Sequence, residues 1–371
     1  MKIIYLANIR MPTEMAHGVQ IVKACEAFAK AGHDIELVVP RRYTPIEETP
    51  EAYYGITSPF HITYLAVPDT VRRWGRLGFL IQILSFALSS AAYVREQRPD
   101  IVYGRDEHVL FLISLFMRTP IVWESHDGAW NRFARGLTRR IRAIITVTEA
   151  QRTFYLSRGV PKRLISSIPN GVDVLAFASA EGPIAARSRL GLPLGIPIAL
   201  YAGAFGGWKG TATLFDAGTL LPESSVLAVI GGRKEQIDIE SKRHPRIRFL
   251  GERPYRELAD NLAAADICVL PNTGKDPIST SFTSPLKLLA YLAAGKAIVA
   301  SDLPSVREIV EDAALLVPAD DSVALAEAMQ KLLSDVPLRT RLGEAARARA
   351  GAYDWNTRAE RLIAILERIV W

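Results

Sequence analysis

Two stretches of this chain combine residue types suited to holding a phosphate. The first is Gly203-Ala204-Phe205-Gly206-Gly207-Trp208-Lys209-Gly210, directly after the apolar run Ile198–Ala202. Its glycines let backbone approach a ligand closely, and Lys209, at the entrance of a helix expected from Thr211, supplies a point charge. The spacing is not that of a P-loop, which needs Gly-Lys-Ser/Thr. The second is Ser281–Val310, SFTSPLKLLAYLAAGKAIVASDLPSVREIV. Pro285 lacks an N–H that a helix start would orphan, Ser284 can cap the next ones, and free N–H groups at the positive end of a helix suit a phosphate or diphosphate. Thr283, Ser284 and Lys287 are the side chains there that could hold one. An ordinary strand-to-helix turn would carry the same pattern.

A second set of polar groups stands just past strand ends, where ligands gather in open α/β sheets. Gly104-Arg105-Asp106 follows the strand Asp100–Tyr103, and Glu124-Ser125-His126-Asp127-Gly128 closes and follows the strand Pro120–Glu124. His17 and Gly18 end the loop Asn8–Gly18. Each histidine has a plainer reading: His17 as a solvated loop residue, His126 as a ring satisfied by neighbouring backbone. No Asp-x-Asp metal motif stands at a strand end. Cys25 and Cys268 lie in apolar runs and read as two buried thiols rather than a disulfide or a metal site.

The elements that must position these groups read as two α/β units. Ile3–Ala7, a helix over Val19–Ala31, Gly32 as its cap and Ile35–Val39 make a first βαβ unit. Its first turn, NIRMPTEMAHGVQ, has one glycine where a dinucleotide site needs G-x-G-x-x-G, which removes the main support for a dehydrogenase. Further strands are expected at Tyr64–Pro68, Ala143–Val147 and Leu164–Ile168. Phe177–Pro197, rich in Ala, Gly and Pro, reads as a linker. Beyond it, Ile198–Ala202, Val226–Ile230 with Gly231-Gly232, Ile267–Leu270 and Ala297–Ser301 form a second set of strands, and Leu288, Leu289, Leu292 and Ala293 repeat at helical spacing up to Gly295. Helices then run to the end, with Trp355 and Trp371 in the last.

At 371 residues, with 49% hydrophobic and 23% charged residues, the chain is that of a globular protein of two domains. Its net charge of +6 is uneven: residues 1–170 hold 22 Lys+Arg against 15 Asp+Glu, or +7, and the rest 23 against 24, or −1. A basic half suits anionic lipid or a phosphorylated acceptor, and no nucleic-acid module accompanies it, so no nucleic-acid partner is expected. Met1-Lys2 leads directly into a strand with no signal-peptide pattern, and a cytoplasmic location is expected. Arg72, Arg73, Trp74 and Arg76 precede an apolar segment, Leu77–Val94, near the lower length limit of a membrane span but interrupted by Gln82, Ser85, Ser89 and Ser90. A buried or interface helix fits it, and so does docking on an anionic membrane surface at the inner face of the cytoplasmic membrane, with Trp74 at the interface.

The run SPLKLLAYLAAGKAIVASDLPSVREI resembles the donor-binding segment of family 4 (group 1) glycosyltransferases of the GT-B fold, in the variant reading Ser-Pro-Leu-Lys, and the resemblance extends over nearly the whole chain. It implies two Rossmann-like doubly wound α/β domains facing a central cleft: residues 1–178 on the acceptor side, 179–354 binding a nucleotide-sugar, and a last helix, 355–371, packing back on the first domain. It implies a metal-independent hexosyl- or related transferase that retains anomeric configuration and moves a sugar from a nucleotide-diphosphate sugar to a saccharide or lipid-linked acceptor, in cell-envelope or exopolysaccharide synthesis. The nucleotide-sugar is a substrate, and no cofactor is implied.

By the same resemblance, His126 contacts the donor sugar near its anomeric carbon, and the loop bearing Gly18 lies over the donor phosphates. Phe249–Tyr255, with Arg253, matches the segment whose backbone holds the nucleobase. Gly203, Lys209, Gly231, Thr283, Ser284, Pro285 and Leu286 line the donor, with Lys209 and the N–H groups near Ser284 stabilising the departing diphosphate. Glu308 matches a recurrent glutamate, or serves as a helix-start residue favoured by the dipole. His17, Arg105 and Asp106 face the acceptor, and Pro169-Asn170-Gly171-Val172-Asp173 closes the first domain.

The chain also departs from the pattern. The two glutamates usual in this region fall on Phe282 and Ala290, and the arginine usual in the glycine loop falls on Ala204. A carboxylate accepting from a ribose diol contributes on the order of 1.5–3 kcal/mol, so its loss weakens a nucleotide donor. Two other readings stay open: a catalytically impaired transferase-like protein acting as a binding or assembly partner, and a GT-B enzyme of different chemistry such as an epimerase or phosphorylase.

Overall fold

The structure is a computed structural model and describes residues 1–370, the side chains of Arg72 and Arg73 excepted. Short, mainly apolar runs cannot sit on a half-solvated sheet, so they pair as parallel strands, the central ones buried on both faces. The chain divides into two compact units, one of residues 1–169 with the closing helix Trp355–Val370 and one of Asn170–Asp354.

The first unit is built on seven parallel strands: β1 (Lys2–Leu6), β2 (Asp34–Pro40), β3 (His61–Leu65), β4 (Ile101–Gly104), β5 (Ile121–Ser125), β6 (Ala143–Thr146) and β7 (Ile165–Ser167). Their order is β3-β2-β1-β4-β5-β6-β7, with Ile3 opposite both Ile35 and Ile101. The chain reverses direction across the sheet between β1 and β4, and the groups past the ends of β1, β4 and β5 therefore collect at one switch point. The second unit repeats the plan with β8 (Ile198–Ala202), β9 (Val226–Ile230), β10 (Arg248–Gly251), β11 (Ile267–Leu270), β12 (Ala297–Ser301) and β13 (Ala314–Val317), in the order β10-β9-β8-β11-β12-β13. Its switch point lies between β8 and β11.

Several expectations shift. The first helix spans Ala16–Lys30, so His17 and Gly18 sit in its opening turn and not in a loop. A Cβ on Gly18 would stand 2.6 Å from the Thr13 methyl and collide with the Tyr54 hydroxyl, so close packing demands a glycine there. β3 starts earlier than Tyr64. Residues 177–197 are no linker: Pro183–Leu190 is a helix, and Phe177, Ala186 and Leu190 are buried in the core of the second unit with Val172. The division accordingly falls at 169/170 instead of 178/179.

The apolar segment after Trp74 belongs to a helix over Val71–Gln97, broken at Gly75 by a positive φ. Trp74–Gln97 is long and apolar enough to cross a membrane, yet 44% of its most apolar window is buried inside the unit. Ile83, Phe86, Ala87, Ala91 and Val94 form its core side, and the fully buried Gln82 donates to Asn8 at 2.5 Å. Leu77, Leu80, Leu84 and Leu88 lie on the opposite, exposed side. The Arg72 and Arg73 side chains and Trp371 lie outside the described residues. Cys25 and Cys268 are buried free thiols, as their apolar surroundings imply.

Candidate functional site

In the second unit the loop after β8 meets the segment after β11, tied by Thr273 N–H to the Trp208 carbonyl at 3.1 Å. Gly231, with φ +114°, comes so close to Gly203 that any Cβ on it would collide with the Gly203 carbonyl. A Cβ on Gly203 would in turn stand 2.7 Å from Lys287 Nζ. The glycines thus let the backbone close around a lysine. Lys287 Nζ donates to the Tyr201 hydroxyl at 2.7 Å and lies 4.2 Å from the centre of that ring, and the hydroxyl donates on to the Ala204 carbonyl at 3.0 Å.

Burial pulls the Lys287 amine down to about 7, and the nearby positive charge of Lys209 pushes the same way. Burial lowers Lys209 as well. Among the described residues neither lysine makes an ion pair. Among the described residues the helices Thr211–Thr219 and Leu286–Ala293 both begin without a side-chain cap. Two cations without a counter-ion beside two uncapped helix starts make this corner of the unit electropositive. Lys287 thus reaches the loop that carries Ala204 from a different segment of chain.

Ser284 does not cap the helix. It is buried with its hydroxyl accepting from Asn170 N–H at 3.1 Å, while Asn170 Nδ2 donates to the Ser284 carbonyl at 2.8 Å. Pro285, extended and itself the residue before the helix, leaves no room for a serine cap. The Asn of Pro-Asn-Gly-Val-Asp therefore fixes this turn. Thr283 is extended after a π-helical turn over Ile278–Phe282, and Leu286 opens the helix. Glu308 lies beyond the first turn of Pro304–Val310, which excludes a role as a helix-start residue. Arg253 is exposed past β10. Ala290 is 2% exposed in the core, and Phe282 is half-buried.

In the first unit β5 carries Glu124 inward and delivers His126 one residue past its end. His126 Nε2 meets Glu124 Oε1 at 2.6 Å, the Tyr103 hydroxyl donates to Oε2, and Arg358 Nη2, from the closing helix, pairs with Oε1 at 3.0 Å. Glu124 and Arg358 are each 3% exposed. Burial pushes the Glu124 carboxyl up, but the charge of Arg358, followed by the His126 contact, holds it well below the usual carboxylate range. Burial drives His126 down to about 4, with Arg105 adding to the effect. The ring is neutral, and a carboxylate can only accept, so the proton sits on Nε2 and Nδ1 is a bare acceptor for a ligand hydroxyl. The partner of His126 is thus a side chain and not neighbouring backbone.

His17 is half-buried and also lowered to about 4, first by burial and then by Arg105. Arg105 donates to Gln20 Oε1 at 2.7 Å and has its carbonyl held by Trp123 Nε1 at 3.0 Å. His17, Arg105 and His126 are therefore brought together at the switch point. Asp106 is not available to a ligand in the same way. Its Oδ1 caps the helix Glu107–Ser114 through His108 and Val109 N–H at 2.9 and 3.1 Å, and Asn8 donates to Oδ2. Among the described residues one group could offer three atoms to a metal, Asp106, Glu107 and His108. Capping and the Asn131 hydrogen bond to Glu107 at 2.7 Å already use its carboxylates. Arg358 and the position of Lys287 beside Gly203 escaped the sequence reading. The signal available was an arginine on the apolar face of the last helix, between Trp355 and Leu362.

Residues 17–174 match the family model described as Glycosyltransferase Family 4, and residues 196–335 that described as Glycosyl transferases group 1. The phosphatidyl-myo-inositol mannosyltransferase of Mycobacterium leprae is 32% identical over 210 residues, covering 54% of this chain and 53% of its own length. The chain thus aligns with about half the length of the curated relatives it matches. Among solved structures, sucrose-phosphate synthase from Thermosynechococcus elongatus superposes with a TM-score of 0.79 at 20% identity over 100% of this chain and 99% of its own. HepE of Anabaena in complex with UDP gives 0.77 at 18%, over 99% and 100%. Both are two-domain parallel α/β proteins of the GT-B class, the fold seen here.

Two outcomes follow from the charges. Were a diphosphate held by Lys287, it would need the charged amine, whose pKa burial pulls down to about 7, so affinity for a nucleoside diphosphate should be highest up to near pH 7. Above it, affinity should weaken by up to about tenfold per pH unit, by calorimetry between pH 6 and 9, with the slope gone in Lys287→Ala. An unchanged slope in that variant would remove Lys287 from the site. Arg358→Ala leaves Glu124 buried without its cation and should cost about 3–5 kcal/mol in urea unfolding. In the same variant the His126 ring, followed by NMR, should titrate above the wild-type value of about 4.

Proposed function

Because the chain belongs to the group 1 glycosyltransferases of family 4, we propose that it moves a sugar from a nucleotide-diphosphate sugar to a saccharide or lipid-linked acceptor in cell-envelope or exopolysaccharide synthesis. The observation that carries the reading is the unpaired Lys209–Lys287 couple facing the Gly203 loop. As the bond between the anomeric carbon and the diphosphate oxygen breaks, negative charge gathers on the leaving diphosphate. Two lysines and two helix starts in a half-buried site are aimed at that charge before the reaction begins. His126 Nδ1 accepts a hydroxyl of the donor sugar, held in place by Glu124, and Arg105 with His17 orients the acceptor. The reaction proceeds with retention and without a metal. The name of the Mycobacterium leprae relative, which acts on phosphatidyl-myo-inositol, supports a lipid-linked acceptor.

A second reading, a transferase-like binding partner with little turnover, draws on Ala290. Its place in the core leaves no side chain at that position to reach a ribose. Thermal unfolding against a panel of nucleoside diphosphates and nucleotide-sugars separates the two. One nucleotide at a hundred times its dissociation constant should add about 2.7 kcal/mol of stability, and Lys209→Ala should abolish the gain. Product formation in the presence of EDTA, with the anomeric configuration read by NMR, then tests metal independence and retention. Binding without any product across acceptors would leave the partner reading in place.

The exposed leucines of the Val71–Gln97 helix, entered through exposed Trp74 and Arg76, support a peripheral position on an anionic membrane surface from the cytoplasmic side. Leu80→Glu with Leu84→Glu should leave stability within about 1 kcal/mol, since both side chains are solvated. The pair should cut co-sedimentation with phosphatidylglycerol-containing vesicles several-fold, and undiminished pelleting would dismiss the docking face.

A further inference from the structure

A cavity of about 1250 Å³ opens in the first unit at the amino ends of β5, β6 and β7, lined by the turns that lead into those strands. Seven arginines face it: Arg118, four between 135 and 142, and Arg158 with Arg163. No Asp or Glu lines it. Among the described residues none of the seven makes an ion pair. Its floor is partly apolar, with Trp130, Ile121 and Val160. Arg158 stacks over the Phe154 ring at 3.4 Å.

Part of this charge has a local use. The helices Glu107–Ser114, Arg132–Leu137 and Glu149–Leu156 all end at the cavity, and cations favour helix carboxyl ends. Each such end carries about half a negative charge, so three ends offset roughly 1.5 of seven positive charges. Surface arginines that serve solubility alone are normally interspersed with carboxylates. Here the excess is gathered in one concave place.

We propose that this cavity binds a ligand bearing several phosphate groups, at a site separate from the one around His126. Guanidinium forks match phosphate oxygens in pairs, and seven converging forks suit several phosphates better than a single carboxylate. Trp130 and its apolar neighbours accept the non-phosphate remainder. β5 lies between the two places, from Ile121 at the cavity to Ser125 beside His126, a run of about 13 Å at 3.3 Å per residue. The phosphates come from a soluble metabolite or from a lipid headgroup, and the chemistry of recognition is the same.

Tripolyphosphate is the probe, by isothermal titration calorimetry on the full chain. Wild type should show two sites, one in the second unit that disappears in Lys287→Ala and one that remains. In Lys287→Ala protein, Arg139→Glu with Arg142→Glu should weaken the remaining site at least tenfold, while circular dichroism and thermal unfolding stay those of the parent. Displacement of bound tripolyphosphate by phosphatidylglycerol vesicles, and not by phosphatidylcholine vesicles, assigns the phosphates to a headgroup. Retention against both assigns them to a soluble ligand. Equal binding with and without the charge reversals, or no second site in wild type, overturns the proposal. Loss of the Lys287-dependent site alone bears on the donor reading and leaves this one standing.

Discussion

A carboxylate 3% exposed to solvent has to be met by charge and hydrogen bonds or it cannot stay ionised, and Glu124 is the group that sets this condition in the first unit. Three elements answer it: β4 through Tyr103, the turn after β5 through His126, and the closing helix through Arg358. The same contacts select one tautomer of His126, orient its ring, and dock a helix distant in sequence. Arg358 is held a second time by the Pro169 carbonyl at 2.8 Å, which ties the end of the first unit's strand run to that helix. A histidine placed at a strand end by topology becomes a defined acceptor only because this buried pair stands behind it.

The second unit sets the opposite condition. Among the described residues Lys209 and Lys287 at its glycine loop lack a counter-charge, and Lys287, nearest the glycine turn, is already shifted toward neutrality. A fold with an apolar residue at position 287 would avoid this cost. Close glycine packing makes the site narrow as well as positive. The Asn170–Ser284 hydrogen bonds hold the helix start at its fixed distance from the loop.

The strands were legible because residues buried on both faces leave long apolar runs, and β8, β9, β11 and β12 fall where such runs predict them. The positions of His126 and Arg105 at strand ends were legible for the same reason, since topology alone collects them. What escaped depends on contacts between residues far apart in sequence. Nothing local marks Arg358 as the partner of Glu124, or Lys287 as the neighbour of Gly203. Composition misled at 177–197, where Ala, Gly and Pro suggested a linker but Phe177, Ala186 and Leu190 fill a core. Propensity misled at Ser284, whose hydroxyl is used by a backbone N–H from another segment.

The closing helix belongs with the first unit although the whole second unit is inserted before it in sequence. During synthesis the sheet β1–β7 emerges early, yet Glu124 stays without its guanidinium until the closing helix leaves the ribosome. The first unit therefore completes only after the second has been made. A nascent chain that has passed the second unit but not yet reached Arg358 leaves Glu124 without its cation, so His126 acquires its final environment only once the closing helix has been made.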